Sequence, residues 1–536
     1  MKYLTKKNLS FILVVLIFLS GFYLRLTRYN YFNYLNGDEG NHFLLFDNFL
    51  RFKKFWLVGE GSSLGDYDQN LYFHNLPYSL YFELIIFIVA NQSPLIYMFL
   101  YMLINLALIY LLWQTTKNFF DEKIALIAIF LASFSRYLIG ISVFASQPTN
   151  ALIFEAVGLY LLSLFNKKKD KKFLIFSLIS FLFALHMYPP MYLYLPVKII
   201  FLLIFFHKEI VKNKKILIYA LLIIVISYLP MIINEINYFN QDCSNIWNIR
   251  SLINNGGFNN NNESVIVNDK TQLNQFLERI ISLTRDAFNN INDNFYIYWL
   301  FLIPILFSAV VLNQDRNKKL LTYYFLLSIL TPIIILGVFK IDRLDYIRGF
   351  NSFYLILVLA VGIGNLRKIS KNLYFIGVSL TVILILAGTP INEPIEPELN
   401  HINYLERNLI IELIKNDIDQ NSLALNEIDI KVINHNYPNN SGNWDSSIYW
   451  YLLQKDSPIQ LVDCSYPFLT PEKINKQTTT TFYICEYKNA QANIQDCFNN
   501  IYQIYDISPE EKTQVLFRNR RLILIKFNHN LIQDEQ

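Results

Sequence analysis

Long apolar runs constrain this chain more than any motif in it. They recur at lengths of roughly 15–20 residues, separated by short Lys-rich or Asn-rich pieces, and runs of that length fit the hydrocarbon core of a bilayer. Hydrophobic residues make up 53 % of the 536 residues and charged residues only 16 %, too little charge to cover a soluble protein of this size. An α-helical polytopic membrane protein follows. The net charge of +4 is too small to argue for nucleic acid, so the basic residues matter by position. The first run, Phe11 to Leu26, passes directly into Arg28-Tyr29-Asn30-Tyr31 with no signal-peptide cleavage pattern, so it reads as a retained helix.

Hydropathy predicts spans at 9–26, 94–112, 123–141, 149–165, 173–187, 190–206, 215–232, 296–312, 319–338, 350–364 and 373–389. That is about eleven, with the stretch from Pro77 to Ala90 too short to count and typical of buried or re-entrant segments. Lysine placement decides that stretch. With the N-terminus cytoplasmic and 77–90 not crossing, Lys117 to Lys123, Lys167 to Lys172, Lys208 to Lys215, Arg316 to Lys319 and Arg367 to Lys371 all lie inside. The alternate connections, Ser142 to Pro148 and His186 to Pro190, carry no Lys or Arg. If 77–90 crossed, every later basic loop would flip outward, against the positive-inside rule. The expectation is therefore a multi-pass plasma-membrane protein with a partly inserted helix at 77–90. Its outward parts are a first loop at 27–93, a large loop at 233–295, and everything after about residue 390.

The chain changes character near Gly388-Thr-Pro-Ile-Asn-Glu-Pro, a Pro-rich linker. Two domains are expected: a transmembrane part at 1–392 and a soluble α/β part at 393–536 outside the membrane. In the second, Leu409 to Ile414 reads as helix. Ile428 to Asn434, Ile459 to Asp463, Thr480 to Cys485 and Val515 to Phe527 read as strands, the last a hairpin turning at Asn519. The cysteines are Cys243, Cys464, Cys485 and Cys497. None is in a CxxC or zinc pattern, and one or two disulfides or isolated thiols fit equally.

The first outer loop is the most informative segment. Gly37-Asp38-Glu39-Gly40-Asn41-His42 comes about a dozen residues after the first span. Phe43 to Trp56 then shows apolar residues at helical spacing with a basic face, the pattern of a helix lying flat in the interface. A carboxylate held there can deprotonate an acceptor or help hold a divalent metal; equally, Asp38 can simply cap the helix.

An Asp-Glu pair after the first span, an interfacial helix, and then His74-Asn75-Leu76-Pro77 opening a short apolar stretch form an ordered set. Pro94-Leu95-Ile96-Tyr97 before a span and Lys117 to Ala128 leading into the next helix extend it. The set resembles membrane glycosyltransferases of the GT-C fold, most closely the protein O-mannosyltransferase and aminoarabinose-transferase group. The resemblance covers residues 9–200 in order and, more loosely, up to 365.

It implies a donor in which a sugar is carried on a polyprenyl phosphate, and an acceptor that is a protein, lipid or glycan. It implies Asp38 at the catalytic centre as general base or metal-side carboxylate, with Glu39 its neighbour. A divalent metal, magnesium or manganese, is a further expectation at Asp38. The leaving lipid phosphate needs positive charge. Lys340 to Gly349, a short outer loop rich in charge against the positive-inside tendency, resembles the family's late Arg/Tyr segment. It offers Arg348, Arg343 and Tyr346, which can alternatively snorkel to headgroups or pair with Asp342 and Asp345. His74, His186 and Tyr188 are further candidates to line the cavity; a loop hydrogen bond and a plain Pro-Pro turn are the simpler readings.

The chain departs from the group at one place. Many relatives carry a second acid in the outer loop after the third span, where this chain has Thr149 and Asn150. An amide can bind a hydroxyl but cannot be a base, which puts metal dependence in doubt; Glu155 compensates only if it faces the cavity. Two rival functions remain: a flippase or transporter of a lipid-linked sugar, and a non-catalytic membrane scaffold. Paired halves are not visible and intramembrane charges look scarce, which weighs against a transporter.

Overall fold

The computed structural model describes residues 6–31, 37–53, 55–56, 61–66, 71–74, 76–143, 146–212, 215–237, 309–312, 315–338, 345–388, 404–423, 428–434, 449, 453, 480–486, 494–505, 512–518 and 522–528. The expected outer loop at 233–295 lies outside them from residue 238 onward, as do the strand at 459–463, the turn at Asn519, most of the span at 296–312, and Cys243 and Cys464.

The described chain is mostly helical. In order come α1 (Lys6–Tyr31), α2 (Gly37–Phe52), a two-stranded antiparallel ribbon of β1 (Gly61–Asp66) and β2 (Leu71–His74), α3 (Tyr78–Val89), α4 (Pro94–Phe119), α5 (Glu122–Phe134), α6 (Arg136–Gly140), α7 (Gln147–Lys168) and α8 (Lys171–Met187). A 3-10 segment at Pro189–Tyr194 leads into α9 (Leu195–Lys212), followed by α10 (Lys215–Asn237), α11 (Arg316–Val338), α12 (Asp345–Asn365) and α13 (Lys371–Gly388). Five stretches among the described residues are long and apolar enough to cross a membrane: Ser10–Thr27, Pro94–Phe119, Gln147–Lys168, Arg316–Ile335 and Phe350–Lys368. Tyr78–Val89, Pro190–Phe205, Leu222–Asn237 and Lys371–Ile383 are shorter apolar helices.

Helix α12 is buried from Phe350 to Asn365, while α1 and α10 expose Phe11, Leu16, Leu19, Ile226 and Ile236. Apolar side chains turned outward over whole helices suit a lipid-facing surface. Gly158 and Gly364 are among the glycines that let helices pack closely in the interior. A Cβ on Gly158 of α7 would stand 2.6 Å from the Phe181 ring of α8, and one on Gly364 of α12 would stand 2.4 Å from Ile124 of α5.

The expected span at 123–141 is two helices, not one. Helix α5 stops at Phe134, and the Ser135 hydroxyl caps α6 by accepting from the Leu138 amide at 3.4 Å. The break leaves carbonyls without helical partners. Arg25 of α1, fully buried, donates to the carbonyls of Ser133 at 3.0 Å and Ala132 at 3.3 Å, and to Asn105 Oδ1 at 2.8 Å. Irregular backbone is tolerated at membrane depth when protein satisfies it, and a guanidinium at a helix C-terminus also meets the negative end of the dipole.

The basic connections gather at one end of the bundle. Asp121 caps α5 through the amides of Lys123 and Ile124, and it pairs with Arg367 beyond α12. Ser10 of α1 donates to Glu122 at 3.0 Å, and Lys368 to the Leu312 carbonyl at 2.8 Å. The opposite end carries α2, α3 and the first turn of α7.

The last elements form an α/β unit. Helix α14 (Tyr404–Asn421), β3 (Ile428–Asn434), β4 (Thr480–Glu486), α15 (Ile494–Tyr505), β5 (Lys512–Arg518) and β6 (Leu522–Asn528) make a four-stranded sheet in the order β3-β4-β6-β5. The β3–β4 pair is parallel and the others antiparallel. Strand alternation divides its faces: Phe482, Ile484, Leu522 and Leu524 face the same cluster as Ile410 and Ile414 of α14. Tyr483, Cys485, Ile523 and Ile525 pack with Cys497 and Ile501 of α15, and Cys485 and Cys497 are disulfide-bonded. The first cluster runs on without a gap into Phe43, Phe46, Phe87 and Tyr97, so the sheet unit rests on the end of the bundle that carries α2.

Candidate active site

Helix α2 begins at Gly37, so Asp38 and Glu39 occupy its first turn, where negative charge is favoured by the dipole. The helix does not present its apolar residues to a lipid interface as expected. Phe43, Leu44, Leu45 and Phe46 are buried, with Phe43 against Phe87 at 5.2 Å and Tyr97 at 5.1 Å, and Phe46 against Phe87 at 5.3 Å. Helix α3 and the start of α4 cover the face that the sequence pattern assigned to the membrane surface.

One turn after Asp38 the same helix carries His42. Its Nδ1 lies 2.6 Å from Glu83 Oε2, an oxygen that also accepts from the Tyr97 hydroxyl at 3.1 Å. Glu83 Oε1 accepts from the Asn150 amide at 2.6 Å and from the Ser79 hydroxyl at 3.1 Å. The Asn150 amide nitrogen reaches Ser79 Oγ at 2.9 Å, while its oxygen accepts from the Tyr101 hydroxyl at 2.9 Å. Every member is buried and Glu83 has no exposed surface. Burying a carboxylate is costly unless its lone pairs are met, and here four donors from α2, α3, α4 and α7 meet them. Asn150 is therefore a hydrogen-bond donor to a carboxylate on another helix.

A second carboxylate sits on α7 five residues further along. Glu155 pairs with Lys198 of α9 and accepts from the hydroxyls of Tyr354 on α12 and, at 3.3 Å, Tyr324 on α11. Lys198 Nζ also stands 5.0 Å from the Phe181 ring centroid, and neither charge is exposed. Glu155 is thus committed to an ion pair inside the bundle. With Arg25, this makes buried charge within the helices more frequent than the apolar runs suggest.

Helix α8 ends at His186 and Met187, both buried. His186 Nε2 lies 2.8 Å from Ser227 Oγ on α10 and Nδ1 lies 3.2 Å from the Tyr192 hydroxyl, so its ring ties α8 to α10. Tyr78 completes that tie by donating to the Ser227 carbonyl at 2.7 Å. Tyr188 stacks on Phe350 at 6.2 Å and 16°, which sets it beside the first turns of α12, where Tyr346 and Arg348 lie. His74 is the last residue of β2. Arg343 lies outside the described residues. The structure therefore links His42, Glu83 and Asn150 in one network, and sets Tyr188 next to the helix of Arg348.

No group of three or more His, Cys, Asp or Glu among the described residues is arranged to hold a metal. His42 and Glu83 are bonded directly to each other, which uses the imidazole Nδ1 and one carboxylate oxygen that a cation would need. The described donors do not by themselves make a divalent site.

Residues 76–233 match the family model of the dolichyl-phosphate-mannose-protein mannosyltransferases. That segment contains Glu83, Tyr97, Asn150, Glu155, His186 and Lys198. The matched segment is less than a third of the chain. No curated protein matches it in sequence. Among solved structures, the oligosaccharyltransferase AglB of Archaeoglobus fulgidus, in complex with an inhibitory peptide and a dolichol-phosphate, is similar at a TM-score of 0.49 and 13 % identity over 90 % of this chain and 70 % of that one. The same organism's oligosaccharyltransferase with zinc and sulfate gives 0.48 and 14 %; the match takes in 85 % of this chain but only 59 % of that one. ArnT from Cupriavidus metallidurans bound to undecaprenyl phosphate gives 0.40 and 9 % over 97 % of each chain.

Glu83 and Lys198 escaped the reading of the sequence, although each left a signal. Glu83 is the single charged residue of the apolar helix Tyr78–Val89, and Lys198 interrupts the run from Leu195 to Phe206. A lone ionisable residue in an apolar helix marks a buried partner or a site.

Proposed function

We propose that the protein is an integral membrane glycosyltransferase that moves a sugar from a polyprenyl-phosphate donor to a protein, lipid or glycan acceptor on the outer face of the plasma membrane. The observation that carries this reading is the anchoring of the Asp38-Glu39 helix, through His42 and Glu83, into the segment that matches the mannosyltransferase family.

The reaction is a single displacement. The acceptor oxygen forms a bond to the anomeric carbon while the bond from that carbon to the phosphate oxygen breaks. The acceptor proton passes to Asp38, and the bonding pair leaves with the polyprenyl phosphate, whose charge Arg348, with Arg343 and Tyr346, stabilises. Tyr188, His74 and His186 stand around the substrates as shaping residues. The N-terminus is cytoplasmic, and the sheet unit of 393–536 lies outside, over the acceptor side. The phosphates of AglB's dolichol ligand and ArnT's undecaprenyl ligand are of the donor's chemical kind.

A direct displacement inverts the anomeric centre. Incubating purified protein in bilayers with a panel of polyprenyl-phosphate sugars, and determining product configuration by NMR, gives inverted product on this account. A retained configuration rules out the single displacement.

A further inference from the structure

We infer that Glu83 is a positioning residue for transfer: through His42 it fixes the register of the helix that carries Asp38 and Glu39. The inference deepens the function proposed above and rests on it.

The geometry is specific to this carboxylate. Helix α3 has one charged residue, and its two oxygens reach different neighbouring helices. Oε2 meets His42 of α2 at 2.6 Å, and Oε1 meets Asn150 of α7 at 2.6 Å. Ser79, one turn earlier on α3, and Tyr97 of α4 complete the shell at 3.1 Å each. The side chain therefore couples α2 to α7, although the two helices are far apart in sequence. Aromatic packing of Phe43 and Phe46 fixes how deeply α2 sits, but stacked rings tolerate sliding and rotation. The His42–Glu83 bond is directional and has one register. Asp38 precedes His42 by one helical turn, so a shift of α2 along or about its axis carries the catalytic pair with it. A misplacement of about 1 Å at a reacting group can cost on the order of 100-fold in rate.

Asn150 belongs to the same device. Its amide must donate, because a carboxylate is what it faces; the Tyr101 hydroxyl bonded to its oxygen holds the amide that way round.

The test is steady-state transfer by the full chain in proteoliposomes, with rates expressed per folded protein from gel-filtration recovery. Glu83→Gln keeps shape and volume but replaces a carboxylate oxygen facing His42 or Asn150. His42→Phe removes the link and leaves the Glu83 shell of Ser79, Tyr97 and Asn150 in place. His42→Asn restores an amide nitrogen near the position of Nδ1. We expect Glu83→Gln and His42→Phe each to lower kcat by about 10- to 100-fold with donor KM changed less than about threefold, and His42→Asn to recover at least about a third of the lost activity. Wild-type kcat in Glu83→Gln overturns the inference. If that variant does not fold, wild-type kcat in His42→Phe overturns it, as does a His42→Asn no better than His42→Phe. Asp38→Asn is run beside them. Full activity there dismisses the catalytic reading of Asp38, whereas loss in Asp38→Asn alone dismisses only the role of Glu83.

Discussion

Two buried carboxylates meet helix α7 within about 7.5 Å of its length, the rise of five residues, and they are satisfied in opposite ways. Glu155 belongs to α7 and is met by a full positive charge, Lys198, and by two phenols from α11 and α12. Glu83 comes to α7 from α3 and is met by neutral donors and one imidazole. A buried ion pair of this kind is a lock whose two halves depend on each other. A carboxylate held by hydroxyls, an amide and a histidine ties a short helix to the bundle without neutralising charge by charge. The first network joins four long helices and has no residue from the first loop. The second reaches out of the bundle to the helix of Asp38. Two neighbouring turns of α7 thus do different work: that of Glu155 locks the bundle, and that of Asn150 is tied through Glu83 to the helix of Asp38.

Removing one half of the lock has the largest expected effect. Lys198→Met strands Glu155 in a dry interior and should destabilise the protein by about 3–5 kcal/mol, read as a loss of thermal stability in detergent. Adding Glu155→Gln to the same chain should recover most of it, because the uncompensated charge is then gone. A stable single variant would show that Glu155 and Lys198 do not depend on each other.

Breaking the other network costs less stability and more activity. Asn150→Asp puts a second carboxylate against Glu83 Oε1 in place of a donor at 2.6 Å. The expected loss is about 1–3 kcal/mol, with transfer falling further than stability does. A variant at Asn150 that transfers normally would separate this network from the site.

Tyr354→Phe is the smallest of the three. It removes one donor to Glu155 and leaves the ion pair and Tyr324, so about 1 kcal/mol is expected. Its transfer rate per folded protein should equal wild type. A lowered rate would mean that the lower network also reaches the chemistry and that the contrast between the two is false.

Much of the fold was readable because it follows from periodicity and length. Among the described residues the apolar runs correspond to helices, and strands at 428–434, 480–486, 512–518 and 522–528 form the sheet, the last two paired antiparallel. The break at Ser135 was not readable, because Arg25, more than a hundred residues earlier, is what makes it tolerable. For the site, the sequence pointed to Asp38 and Glu39 as candidates, and to Thr149 or Asn150 where relatives carry an acid. It could not show that Glu83 bonds Asn150, since that pair is brought together only when α3 packs beside α7. The interfacial reading of α2 failed for a related reason: an apolar stripe is the same whether lipid or another helix covers it.

The most direct measurement is transfer of radiolabelled sugar from polyprenyl-phosphate donors in membranes expressing wild type or Asp38→Asn at equal levels. The account predicts transfer by wild type and a severe loss in the variant. Equal transfer by both proteins would remove Asp38 from the mechanism, and no transfer from any donor by wild type would contradict the glycosyltransferase reading in favour of a transporter or scaffold.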